Sequence, residues 1–303
     1  MSLISNEDIE IKLLLEAVYL KYGYDFRDYS EATLKRRILH RFSLEQFGSI
    51  SEMQHRLLVD VSFFERLILD LSINVTEMFR DASFYQTLRK EVVPFLRTYP
   101  FLKIWHAGCS TGEEVYSMAI LLKEEGLYQQ SQIYATDFNQ VVIKKAKDGI
   151  FPLERLKQYT VNYQKAGGTR SFADYYTADY QFAVIDRSLK QNVIFADHNL
   201  VTDGVFGEMN LILCRNVLIY FNQKLQDRVL GLFYDSLCNG GFLCLGSQEN
   251  VRFSKFSDHF EGVVNREKIY RKISASGPCF RKRSTVAPSG LSTSSAPLTP
   301  VAV

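Results

Sequence analysis

The chain has 303 residues, 46% of them hydrophobic, and a formal net charge of +2. That length and apolar content suit one substantial buried core plus a smaller satellite domain, and the near-balanced charge argues against a dedicated polyanion binder while leaving local basic patches open. The five cysteines, Cys109, Cys214, Cys238, Cys244 and Cys279, form no CxxC pair and read as reduced, buried thiols, with neither a zinc site nor a disulfide framework expected. Neither a secretory leader nor an apolar run of bilayer length is legible, so a cytoplasmic protein without membrane insertion is the expectation.

Residues 1–72 read as short helices. "EDIEIKLLLEAVYLKYG" has helical spacing ending near Gly23, and "SEATLKRRILHRF" starts on Ser30 as a cap. "SEMQHRLLVD" and "SFFERLILDLS" continue this small all-helical unit. Residues 73–101 are a linker and a connecting helix, "DASFYQTLRKEVVPFLRTYP", closed by Pro94 and Pro100. From 102 to 273 the pattern changes. Apolar strand candidates "LKIWHAG", "QIYATDF", "NVIFADHNL", "MNLILCRNV" and "GFLCLGS" alternate with helices at 112–125, 139–148 and 222–238, the signature of a mostly parallel, doubly wound sheet. "FEGVVNREKIYRKI" then suggests an antiparallel hairpin at the sheet edge, turning at Asn265, Arg266 and Glu267. The segment 274–303 is rich in Ser, Thr, Pro and Ala and reads as a disordered tail.

The loop after the first of these strands, "GCSTG" at Gly108 to Gly112, matches G-x-S-x-G, which would make Ser110 a hydrolase nucleophile. That elbow needs earlier strands and an oxyanion loop, and everything ahead of Leu102 looks helical. A phosphate cradle fits the small residues better, but Glu113 and Glu114 follow at once and would repel a pyrophosphate; as acids in a first helical turn they also suit the dipole. A ligand carrying positive charge and hydroxyls fits best. Asp137, ending "YATDF", is placed either to cap the next helix or to accept two hydrogen bonds from a ribose diol. Asn199 and Leu200, in "FADHNL", suit an adenine edge and face. Arg215 and Asn216, in "CRNVLIYF", point from a strand end into the crevice where open α/β sheets bind ligands, or serve there as turn and capping residues.

These residues resemble the chemoreceptor glutamate methyltransferases of the CheR family. "INVTEMFRD", "AGCSTGEEVYSMA", "YATDFN", "DHNL" and "CRNVLIYF" occur in that family's order and approximate spacing, and the resemblance runs from about residue 10 to about 273. It implies a doubly wound, Rossmann-like S-adenosylmethionine methyltransferase sheet with a small all-helical N-terminal domain. It also implies that Asn74, Thr76 and Arg80 approach the cofactor, Glu114 its positively charged methionine part, Asp137 its ribose, and Asn199 and Leu200 its adenosine region. Arg215 and Asn216 would form the rim beside the reacting centre, and Tyr220 would lie near the transferred methyl. If "VTEMFRD" is helical, Thr76 and Arg80 share one face. Val115 replaces the family's common proline and Met78 a frequent aromatic, and neither change removes a polar group.

A glutamate acceptor is ionised at neutral pH and needs no general base, in keeping with five histidines, His40, His55, His106, His198 and His259, that form no recognisable acid–base constellation. Arg80 and Tyr220 are then expected to orient the reactants without carrying protons. In "LKRRILHRF", Lys35, Arg36, Arg37, His40 and Arg41 make a basic helical surface over inward Leu34, Ile38 and Phe42. The resemblance implies that this surface docks the acidic helical bundle of a methyl-accepting receptor, the protein acting as a monomer. The segment 150–191 is a candidate inserted β subdomain, with Gly167 and Gly168 permitting a hairpin. The alternatives are a nucleic-acid methyltransferase, disfavoured by the net charge and by the absence of a proline-rich aromatic motif at "CRNVLIY", and a cofactor-binding signalling scaffold without turnover. No metal and no nucleic acid are expected.

Overall fold

The computed structural model describes residues 5–72, 75–205 and 207–273; Asn74 and the expected tail fall outside them. Four helices come first, each closed by its own chemistry. α1 (Asn6–Tyr22) starts where the Ser5 hydroxyl accepts from the Asp8 N–H and stops at Gly23, whose φ of 78° is cheap only without a side chain. α2 (Glu31–Leu44), α3 (Ile50–Val59), capped by Ser49, and α4 (Val61–Leu71), capped by Asp60 accepting from the Ser62 and Phe63 N–H groups, complete the bundle. Leu14, Val18, Ile38, Met53, Leu57, Phe63 and Leu67 fill its core without solvent exposure.

Ser30 occupies the N-cap of α2, yet its side chain makes no capping bond. Its backbone N–H instead donates to the Tyr220 carbonyl at 2.8 Å, and its neighbour Tyr29 forms a β-bridge with Phe221. The bundle is therefore fastened to a distant loop at the sequence position that looked like a local cap.

The connecting segment is α5 (Ala82–Thr87), a π turn (Leu88–Val92) and α6 (Val93–Leu96). Pro94 does not end this helix as expected. It sits in the first turn of α6, where a missing N–H is tolerated because the wider π turn precedes it.

The main sheet has β1 (Leu102–Ala107), β2 (Ser131–Asp137), β6 (Val193–Asp197), β7 (Met209–Cys214) and β8 (Leu237–Leu245) in parallel, in the spatial order β6-β2-β1-β7-β8. β10 (Ile269–Lys272) and β9 (Phe260–Val264) extend it antiparallel at the far edge, the expected hairpin. α7 (Glu113–Glu124), α8 (Gln140–Asp148) and α10 (Gln223–Ser236) cover its faces. One core lies under α5 to α7, and the other, around Trp105, Ile212, Leu243 and Phe233, under α10. Strand order reverses between β1 and β7, so a crevice opens there at the carboxyl ends.

The insertion folds as α9 (Leu156–Lys165) with an antiparallel sheet of β3 (Ile150–Pro152), β5 (Phe182–Ile185) and β4 (Tyr176–Ala178). Its hairpin joins β4 to β5; Gly167 and Gly168 instead follow α9, with Gly167 at φ 78°. The β4–β5 turn is closed by a backbone bond, the Asp179 N–H donating to the Phe182 carbonyl at 2.8 Å.

Candidate functional site

Four adjacent strand ends, those of β6, β2, β1 and β7, open into one cleft, which the α1–α2 connection and the 75–80 segment also line through Tyr29, Val75, Thr76, Glu77 and Arg80. Thr76, Arg80, Glu114, Asp137, Asn199, Leu200, Arg215, Asn216 and Tyr220 all line it. The sequence-expected residues that are described thus converge.

The loop leaving β1 is pressed against its surroundings. Gly108 has φ 81°, and a Cβ there would sit 2.6 Å from Val217 Cγ2. Its N–H and that of Cys109 both donate to the Thr136 carbonyl. Ser110, at φ 50°, spends its N–H on Asp137 Oδ2 at 2.9 Å, while Asp137 Oδ1 accepts from Asn139. Asp137 therefore organises the loop and the start of α8 at once. Burial pushes its carboxyl up to about 6 against the opposing pull of these backbone N–H groups.

Glu114, in the first turn of α7, keeps its side chain 18% exposed. Its Oε1 is 2.9 Å from His106 Nδ1, and its Oε2 is 3.3 Å from Arg215 Nη1. Burial would raise this carboxyl, but the His106 hydrogen bond and the Arg215 charge outweigh it and hold the group below the usual range. His106 belongs to β1 and is wholly buried, so one of the five histidines does take part in a polar constellation at the site. An apolar strand pattern conceals it.

Arg215 departs from its expected rim position. Its side chain is 3% exposed, donates to Asp81 Oδ2 at 2.7 Å and stacks over Phe84 at 4.1 Å. It forms the floor behind Glu114. Thr76 and Arg80 meet the cleft without sharing a helix face: residues 75–81 form a turn, with Phe79 and Asp81 at φ 53° and 58°, and α5 begins only after it. Arg80 reaches back to the Val75 carbonyl at 3.1 Å. Asn199 uses its side-chain oxygen to cap Val201, and Arg228 pins the same loop through the carbonyls of Leu200, Thr202 and Asp203.

Glu249, which the sequence did not single out, holds the reactive-looking loop after β7. It is 4% exposed. Its Oε1 accepts from Val217 and Ile219, and its Oε2 from Asn216 and Gly246. Asn216 itself has φ 62°, so the carboxylate fixes an otherwise strained turn that presents Tyr220. Burial raises the Tyr220 hydroxyl's pKa, with the Arg80, Arg37 and Arg36 charges acting in opposition; Tyr220 stays a phenol at neutral pH.

The expected basic face of α2 is divided. Leu34 and Ile38 are buried and Phe42 packs beside them, as expected. Lys35 pairs with Glu7 and Asp8, and Arg41 with Asp70 and Glu45. Among the described residues Arg36 and Arg37 have no acidic partner, and their charges reach the Tyr220 hydroxyl. Among the described residues no cluster could hold a metal ion, and no helix is long and apolar enough to cross a membrane.

Residues 74–269 match the family described as CheR methyltransferase, SAM binding domain, and residues 9–72 match its all-alpha domain. A relative from Pseudomonas putida called Cher3 is 57% identical over 269 residues, covering 88% of this chain and 98% of its own. A chemotaxis protein methyltransferase 2 of Pseudomonas aeruginosa is 30% identical, covering 78% and 84%, and a chemotaxis protein methyltransferase of Listeria innocua is 29% identical, covering 76% and 85%. The chain belongs to the CheR methyltransferase family. It is an S-adenosylmethionine-dependent methyltransferase.

Proposed function

We propose that this protein methylates glutamate side chains in the cytoplasmic helical domains of methyl-accepting chemoreceptors, yielding glutamate methyl esters and S-adenosylhomocysteine. The observation that carries this reading is the polarity of the cleft: two carboxylates, Glu114 and Asp137, line it, and Arg80 lines it beside Tyr220, whose hydroxyl also feels the charges of Arg37 and Arg36. An acid-lined interior suits a cationic nucleoside. A basic mouth suits an anionic acceptor.

The residues fit the cofactor. Glu114 would take the ammonium of its methionine part, Asp137 the ribose diol, Asn199 and Leu200 the adenine, and Thr76 the side facing the turn; Asn74 belongs to the same proposed set. The close approach at Gly108 keeps side-chain bulk out of the cradle. When bound, S-adenosylmethionine supplies a methyl group on a sulfonium, so that a carboxylate oxygen gains the methyl as the carbon–sulfur bond breaks and its electron pair stays on sulfur. No proton has to move. The protein's task is therefore alignment and removal of water: Tyr220 donates a hydrogen bond without ionising, and Arg80 steers the carboxylate. Binding it too firmly would slow the step, because charge disappears as the methyl transfers.

The test uses radiolabelled S-adenosylmethionine, the full chain and candidate receptor cytoplasmic domains, followed by alkaline release of methanol and mass-spectrometric mapping. Base-labile label on receptor glutamates is expected. Label on RNA, or cofactor binding with no transfer to any receptor domain, would overturn the reading. Arg80→Ala should lose most turnover; a variant that keeps both S-adenosylmethionine affinity and full turnover removes Arg80 from the mechanism.

A further inference from the structure

We propose that Tyr29, in the connection between α1 and α2, completes the cofactor site from the helical domain: its hydroxyl donates to a ribose oxygen of S-adenosylmethionine opposite Asp137, so that the bound cofactor joins the two domains. This deepens the reading above and rests on Asp137 taking the ribose.

The connection is held in place along its length. Between Gly23, which ends α1, and Ser30, which precedes α2, the sequence is "YDFRDY". Arg27 donates to both carboxylate oxygens of Asp25, at 2.9 and 2.8 Å, and stacks over Tyr19 of α1 at 3.9 Å. Asp28 reaches the other way: its carbonyl accepts from the Asn222 N–H at 2.9 Å and its carboxylate from Lys224 at 3.0 Å. Tyr29 lies between Asp28 and Ser30, both bonded to the loop after β7, and bridges Phe221 itself. A side chain set so firmly before a ligand arrives has little freedom left to lose on binding.

A row of rings then crosses the cleft. Phe138 directly follows Asp137 and Phe221 directly follows Tyr220, and both line the cleft. Phe26 meets Phe138 at 5.9 Å, and Tyr29 meets Phe26 and Phe221 at 4.9 Å each, all edge to face. Tyr29 packs against the bundle core and the core under α10 alike. It also lines the cleft, and alone in this row it carries a hydroxyl.

That hydroxyl has no hydrogen-bond partner among the described residues, and the charge it feels most is that of Asp137, ahead of Asp25. Burial beside these two acids holds the phenol protonated. The ribose needs such a group. Its diol hydroxyls donate to Asp137, which leaves their oxygens as acceptors, and the Ser110 and Asn139 N–H groups nearby are already spent on the carboxylate. A protonated phenol supplies the missing donor, as an ionised acid could not.

The experiment is calorimetric binding to the full chain of S-adenosylhomocysteine and of its 2′-deoxy and 3′-deoxy analogues. Tyr29→Phe keeps every ring contact, so its ligand-free melting temperature should match wild type while its Kd for S-adenosylhomocysteine rises about three- to tenfold. Against the analogue lacking the oxygen that accepts from the phenol, the same substitution should change Kd little, because that pair is already broken. A Tyr29→Phe protein with the wild-type Kd, or one whose Kd rises by one common factor for all three ligands, overturns the inference. Asp137→Asn separates the failures: wild-type affinity there means that the ribose is misplaced and the inference falls with it, whereas weak binding there with wild-type affinity in Tyr29→Phe removes the inference alone. Hydrogen exchange on the unmutated protein decides should the variant misfold. Saturating S-adenosylhomocysteine should slow exchange of the backbone amides at 24–30, and unchanged exchange in that stretch overturns the proposal.

Discussion

Replacing Asp137 by asparagine should weaken cofactor binding without weakening the ligand-free fold. Burial lifts its carboxyl from 3.8 to about 6, so holding it ionised at neutral pH costs the empty protein about 3 kcal/mol at roughly 1.4 kcal/mol per pH unit. Asparagine removes that cost. It also turns one oxygen, now facing the Ser110 or Asn139 N–H, into an amide nitrogen, which returns about 1–3 kcal/mol. The two nearly cancel, leaving the ligand-free melting temperature unchanged or a few degrees higher. Binding responds oppositely, because two hydrogen bonds from the ribose diol to a charged acceptor become weaker ones to a neutral amide, a loss of about 2–3 kcal/mol or roughly a hundredfold in Kd. The sign with pH follows from the raised carboxyl: its contribution to ligand-free stability is fully present below about 4 and is lost as pH rises through about 6, while its contribution to binding grows over the same window. Calorimetric Kd and thermal melts of both proteins provide the check. A variant that melts well below wild type yet binds within threefold of it would show Asp137 to be a loop-bracing acid only, and the ribose assignment would be withdrawn.

Gly108→Ala should lose cofactor affinity and about 1–2 kcal/mol of stability, since φ 81° is unfavourable for any L side chain and the new methyl would strike Val217; an unchanged Kd would contradict the close-approach argument. Glu249→Ala strands four backbone N–H groups, so a loss of at least about 3 kcal/mol is expected, and Glu249→Gln should lower kcat more than cofactor affinity because the loop bearing Tyr220 loosens while the β1 and β2 ends do not. Equal effects on both quantities would deny Glu249 its selective hold on that loop. Receptor kcat/KM should fall with added salt more steeply than cofactor affinity does, and Arg37→Ala should flatten that dependence more than Lys35→Ala, whose charge is already matched by Glu7 and Asp8; the reverse order would move the docking surface elsewhere.

The strand ends were legible because each pairs a short apolar run with polar residues at its carboxyl end, and a doubly wound sheet has one place to gather such ends. Asp137, Asn199 and Arg215 stand out on that ground, whereas only the family resemblance separated Glu114 from its neighbour Glu113 in the first turn of α7. His106 does not stand out, because it alternates into an apolar strand, and only the packing of α7 over β1 brings Glu114 to it. Glu249 stayed hidden for a different reason: its partners are backbone N–H groups, which carry no sequence signal. The condition that 75–81 be helical is not met because Phe79 and Asp81 take left-handed backbone, which neither residue type advertises. The α2 lysine and arginines looked alike until tertiary contacts with Glu7, Asp8 and Asp70 separated the matched from the unmatched.

The bond between Ser30 and the Tyr220 carbonyl, with the Tyr29–Phe221 bridge beside it, gives the molecule a mechanical linkage. On the proposed docking, a receptor gripping α2 would pull on the same short stretch of chain that carries the Tyr220 phenol, and a tug or twist from it would reach that phenol with little slack. Severing that tether while leaving every cleft side chain in place should uncouple grip from turnover.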